Sequence, residues 1–158
     1  MALKNQLKLI FKWVENINYD LILNEIYKKL LSNDAEFYEW VIEKIIDLKD
    51  NYKLFLTTWN STQVAKKYLE KWWIINYFEL IYWSDEILKW EEHLEIFKEY
   101  TWDKDFYKKA IYVWDWDMDK EFAYSKNIDF IRVWYKWESD ENRIKSVAEI
   151  DNILNNLS

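Results

Sequence analysis

Apolar positions along this chain switch repeatedly between a helical and an extended period, and the switches predict its elements. Residues 34–49 set Tyr38, Val41, Ile45 and Leu48 on one helical stripe. The run 52–57 (YKLFLT) is short, apolar and bounded by polar residues, as a buried strand is. Asn60 with Gln63 three residues on forms a capping-box pattern for a helix running to residue 71. Strands follow at 78–82 (FELIY), 110–113 (AIYV) and 129–133 (DFIRV), separated by helices that start at residue 85 or 91 and end at 100, and at 118–126. Ser146 and Glu149 form a second capping box, opening a last helix with Val147, Ile150, Leu154 and Leu157 inward. Residues 1–33 differ: Leu7, Ile10, Phe11 and Val14 fit one helical stripe and residues 21–31 another, so two helices are expected there.

Strand and helix alternating at this spacing predict an α/β fold, a doubly wound parallel sheet with helices on both faces. Such sheets bind ligands beyond the carboxyl ends of their strands. The acids and hydroxyls of interest fall at those ends: Thr57 and Thr58, Ser84 and Asp85, then Asp115, Asp117 and Asp119.

Composition narrows the chemistry. Among 158 residues there is no cysteine, which excludes disulfides, thiolate catalysis and zinc–thiolate sites. A net charge of −7 disfavours binding to a nucleic-acid backbone. No apolar stretch is long enough to span a membrane, and residues 1–13 carry lysines inside any apolar region, unlike a signal peptide. A cytoplasmic location is expected. There is also no glycine and no proline, against twelve tryptophans.

The segment AIYVWDWDMDKEFA places three acids, spaced by two, between a strand and a helix. Carboxylates crowded at a strand end suit a hard cation, and oxygen ligands without histidine or cysteine point to Mg²⁺. A helix start whose acids complement the backbone dipole accounts for the same spacing equally well.

With Trp114 read as glycine, VWDWDMDKEFAYSKNIDFIRVWYKW resembles the fourth motif of the haloacid dehalogenase superfamily, a strand followed by G-D-x-x-x-D. Asp115 and Asp119 fall on its two acids, and Asp117 is an extra one. YKLFLTTWNSTQVAKKYLEKWWI resembles the second motif, with Thr57, or else Thr58, on the phosphate-binding hydroxyl. Lys89 in SDEILKWEEHLEIF fits the lysine of the third motif, without the proline that often flanks it. In EFYEWVIEKIIDLKD, Trp40 and Glu39 stand where the family often writes glycine and proline. The resemblance covers residues 35–158 and looks closest to the phosphoglycolate phosphatase-like branch. It implies a Rossmann-like core over 34–158 and the end of a helical cap at 1–33. It further implies a Mg²⁺-dependent phosphatase for a small phosphorylated metabolite, acting through an aspartyl-phosphate. Asp115 and Asp119 would hold Mg²⁺, Thr57 and Thr58 the phosphate, and Lys89 both phosphate and nucleophile.

One departure matters most. The D-x-D-x-T of the first motif is missing, and in LKLIFKWVENI Lys12 and Val14 would take the aspartate places. Lysine cannot attack phosphorus as a carboxylate does. The expectation is an N-terminally truncated copy that lacks the first strand and shows no phosphatase activity by itself. The alternative is an inactive domain that binds a phosphorylated ligand or a protein partner.

The remaining features have plainer readings. His93, the only histidine, lies in a Glu-rich stretch and is expected at the surface. Lys66, Lys67 and Lys71 are expected on a solvated helix face. Trp40, Trp59, Trp73, Trp83, Trp114, Trp134 and Trp137 fall where the family writes glycine, commonly at turns that need φ > 0. This suggests a gene whose UGA codons are read as glycine at the source. UGG codons at positions 59, 83 and 114 would exclude that origin.

Overall fold

A computed structural model describes residues 3–33, 36–38, 40–83, 90–133, 143–144 and 149–157. Its elements are α1 (Leu3–Ile10), α2 (Tyr19–Ser32), α3 (Val41–Lys49), β1 (Leu54–Thr58), α4 (Thr62–Lys71), β2 (Phe78–Trp83), α5 (Glu91–Thr101), α6 (Phe106–Lys109), β3 (Ile111–Trp114), α7 (Asp117–Ser125), β4 (Asp129–Val133), β5 (Arg143–Ile144) and α8 (Ile150–Leu157). The expected order of strands and helices is present. The chain divides into two compact units, Met1–Glu36 with Tyr52–His93, and Phe37–Asn51 with Leu94–Ser158.

In the first unit β1 and β2 pair in parallel, with Thr57 opposite Tyr82 and Thr58 opposite Trp83. A parallel pair needs a crossover, and α4 supplies it. Val64, Ala65 and Leu69 turn the buried face of α4 inward, together with Ile74 beyond its end. The polar side of α4 is not simply solvated: Lys67 Nζ donates to the carbonyls of Leu31 and Asn33, and Tyr68 Oη donates to those of Leu30 and Asn33. These bonds give side-chain donors to carbonyls in the last turn and C-cap of α2. Lys66 lies over the Trp83 ring and Lys71 over that of Trp72.

The second unit carries a parallel sheet in the order β3-β4-β5, with α7 crossing between the first two strands. Its core gathers Ile131 and Val133 of β4, Ile144 of β5, and Ile150 and Leu154 of α8. Lys44 of α3 donates to Asp151 of α8 at 2.6 Å, and this bond raises the ammonium above its ordinary range.

Several local expectations give way to tertiary structure. Tyr38 precedes α3 and is exposed, while Ile10 and Val14 are exposed although Leu7 of the same stripe is buried. The N-cap of α4 is Ser61, and the Asn60 backbone N–H donates to Thr58 Oγ1 in a side-chain turn. The short β5 and α6 have too few residues to display a period. Val147 and the Ser146 box lie outside the described residues, as do Trp134 and Trp137.

The tryptophans divide. Trp40, Trp73, Trp90 and Trp102 take φ values of 68, 53, 84 and 54 degrees, in the left-handed region that favours glycine. Trp83 and Trp114, expected at such turns, instead end β2 and β3 with extended, ladder-paired backbone. Trp59 is not among the residues with positive φ.

Candidate functional site

Each unit holds one group of the chemistry-bearing residues. In the first, β1 delivers Thr57 and Thr58 to its carboxyl end, both buried. Thr58 Oγ1 accepts the Asn60 N–H at 3.1 Å, which ties that hydroxyl into the turn leading to α4. Thr57 Oγ1 lies 2.7 Å from Nδ1 of His93. The histidine expected at the surface is fully buried, at 0 % exposure. Glu91 and Glu92 face solvent, whereas His93, Leu94 and Phe97 share the buried face of α5. The neighbouring glutamates concealed this, and the i, i+1, i+4 spacing of His93, Leu94 and Phe97 was the available signal. The Tyr82 ring stands 5.5 Å from the imidazole, tilted by 40°. Lys89, Ser84 and Asp85 lie outside the described residues.

In the second unit the three acids have three different environments. Asp115 follows β3 and is exposed. Asp117, the first residue of α7, is exposed and paired with Arg132 of β4. The guanidinium hydrogen bond, then its charge, hold the Asp117 carboxyl below the usual carboxylate range. Asp119 is fully buried, and Tyr112 Oη donates to its Oδ1 at 3.1 Å. Two partners that sequence reasoning did not single out, Arg132 and Tyr112, thus engage two of the three expected metal ligands.

A hard divalent cation takes about six oxygen ligands, several of them commonly from carboxylates. Among the described residues no group of three or more histidine, cysteine, aspartate or glutamate side chains is placed to hold a metal ion. Asp115, Asp117 and Asp119 therefore do not make a complete Mg²⁺ site by themselves.

Burial, with the charge and hydrogen bond of Asp119, pushes the Tyr112 phenol far above the ordinary tyrosine range. The folded state therefore keeps a proton that the unfolded chain loses near pH 10. The associated stability is complete below that pH and declines above it, by up to roughly 1.4 kcal/mol per pH unit. Urea unfolding at about pH 8 and about pH 11 should show a larger loss for the parent than for Tyr112→Phe. Equal losses would mean that Tyr112 ionises in the folded protein.

Among the described residues, no helix is long and apolar enough to cross a membrane. The family model of haloacid dehalogenase-like hydrolases matches residues 3–133. A haloacid dehalogenase-like family hydrolase from Streptococcus pneumoniae has a similar structure, with a TM-score of 0.72 at 15% identity, over 98% of this chain and 77% of that one. A candidate beta-phosphoglucomutase from Thermotoga maritima is similar at a TM-score of 0.70 and 18% identity, over 99% and 79% of the two chains. No curated protein matches the chain significantly.

Proposed function

Because this chain belongs to the haloacid dehalogenase-like hydrolase family, we propose that it is the phosphate-binding part of a phosphomonoester hydrolase for a small phosphorylated metabolite. The observation that carries this reading is the buried Thr57 hydroxyl at the carboxyl end of a parallel strand, just ahead of α4. A hydroxyl there can donate to a phosphoryl oxygen, and the first turn of the helix adds backbone N–H groups of the same polarity.

In the complete reaction an aspartate attacks phosphorus, the ester P–O bond breaks, and water hydrolyses the aspartyl-phosphate. No D-x-D-x-T occurs in these 158 residues, so this reading requires an attacking carboxylate supplied by another segment. By family resemblance Asp115 and Asp119 contribute to Mg²⁺ binding.

The second reading, a non-catalytic domain that binds a phosphorylated ligand, is favoured by the same absence of D-x-D-x-T. Genomic sequence decides between them: an in-frame strand ending D-x-D ahead of Met1 supports the hydrolase. The 158-residue chain is expected to release no p-nitrophenol from p-nitrophenyl phosphate in the presence of Mg²⁺. Turnover that Asp115→Asn abolishes would overturn both readings, since the nucleophile would then lie within these residues.

A further inference from the structure

We infer that His93 is a positioning residue for the Thr57 hydroxyl, donating its Nδ1–H to Thr57 Oγ1 and so reserving the hydroxyl proton for a phosphoryl oxygen. This rests on the reading of Thr57 as the phosphate-binding hydroxyl. The two atoms are 2.7 Å apart, in a buried setting. A hydroxyl has one proton and can also accept. A phosphate dianion offers acceptors only. If Thr57 donated to Nδ1, its single proton would be spent on the imidazole and its lone pairs would face the anion. If Nδ1 carries the proton instead, the hydroxyl accepts from His93 and still donates to the ligand.

The surroundings suit an orienting role. His93 has no exposed surface, sits in the first turn of α5, and lies against the Tyr82 ring at 5.5 Å. Tyr82 is also the ladder partner of Thr57, so one strand pair sets both sides of the contact. A packed ring of this kind cannot turn away when a ligand arrives, and its hydrogen bond removes the rotational freedom of the hydroxyl. Donation from Nδ1 also polarises the Thr57 O–H and strengthens its own donation.

His93 is the only histidine, so its imidazole gives one unambiguous set of nitrogen resonances. The test uses the full chain with ¹⁵N-labelled histidine, titrated with inorganic phosphate, and long-range ¹H–¹⁵N spectra that distinguish Nδ1–H from a bare Nδ1. A protonated Nδ1 in the phosphate complex is the expected result. Thr57→Val and His93→Leu should each weaken phosphate binding by roughly tenfold or more, the size of one hydrogen bond to a charged group. His93→Asn, whose amide nitrogen replaces Nδ1 as a donor, should bind within roughly threefold of the parent. A bare Nδ1 with phosphate bound overturns the inference, as does a folded His93→Leu chain that binds phosphate like the parent. Should His93→Leu not fold, the parent spectrum and the Asn variant decide. If Thr57→Val weakens binding and His93 variants do not, the inference alone falls. If neither Thr57→Val nor any His93 variant changes binding, or the parent binds no phosphate, the reading of Thr57 falls with it.

Discussion

Truncating Ile131 to alanine is expected to lower the unfolding free energy by about 2–5 kcal/mol. Ile131 is at 0 % exposure in the middle of β4 and belongs to the cluster of Val133, Ile144, Ile150 and Leu154. Leu48, Ile111, Val113 and Ile153 pack around that cluster, so the removed atoms are missed on several sides. Two terms add: the transfer free energy of the lost methyl and methylene groups, and the cavity left by neighbours held in a sheet and a helix. Against a typical total of about 5–15 kcal/mol, this is enough to unfold a measurable fraction at moderate temperature. The comparison is Ile46→Ala on the exposed side of α3, expected to change stability by about 0.5 kcal/mol or less. Urea denaturation of the two variants checks both numbers. A loss below about 1 kcal/mol for Ile131→Ala would contradict the packing described.

The second large effect has the opposite sign. Replacing Trp40, Trp73, Trp90 and Trp102 together by glycine is expected to stabilise the protein by about 2–4 kcal/mol. Each tryptophan is held at positive φ, where the Cβ meets the following carbonyl at a cost of about 1–2 kcal/mol. Glycine removes that clash but loses more backbone freedom on folding, which returns roughly 0.5–1 kcal/mol per site. Trp73 and Trp102 are 84% and 92% exposed, so their removal sacrifices almost no burial. Trp90 meets the Trp59 ring edge-on at 5.2 Å, and its replacement gains least.

Trp73 makes the case most directly. Its N–H reaches the carbonyl of Glu70 and the following N–H, of Ile74, reaches that of Leu69. This is a Schellman end to α4, with tryptophan in the left-handed place where glycine usually stands. The end of α7 has the same two bonds, from Asn127 to Tyr124 and from Ile128 to Ala123, with asparagine at φ 56. Asparagine tolerates that conformation and tryptophan does not. Trp83→Gly provides the opposing control, since Trp83 is buried at the end of β2 with extended backbone, and its loss should destabilise. Thermal unfolding of the quadruple variant and of Trp83→Gly separates the two cases. A Trp73→Gly variant less stable than the parent would refute the strain account.

These positions also refine the relation between tryptophan and glycine. Trp40 and Trp73, singled out by sequence, take glycine-like backbone, and Trp90 and Trp102 join them. Trp83 and Trp114 do not, because a residue that still pairs in a ladder keeps extended φ and ψ, whatever turn follows.

The order of strands and helices was legible in the sequence because it rests on local period: 54–58, 78–83, 111–114 and 129–133 each carry a short apolar run. The family resemblance was legible for the same reason, since its motifs are strand-end residues at fixed offsets. Partnerships among side chains were not. His93 reaches Thr57 across 36 residues, and Arg132 reaches Asp117 across 15. Nothing in either neighbourhood announces the other, because distance in space is set by how β1, α5, β4 and α7 pack and not by spacing along the chain. The sequence alone determined the alternation of elements, the Thr57 and Asp115 strand ends, and the absence of a D-x-D-x-T. Only the tertiary structure decided that the single histidine is buried against the candidate phosphate hydroxyl, that Asp119 is sealed beneath Tyr112, and which tryptophans bear left-handed backbone. Each of those outcomes depends on burial and long-range pairing, which arise when separate elements meet.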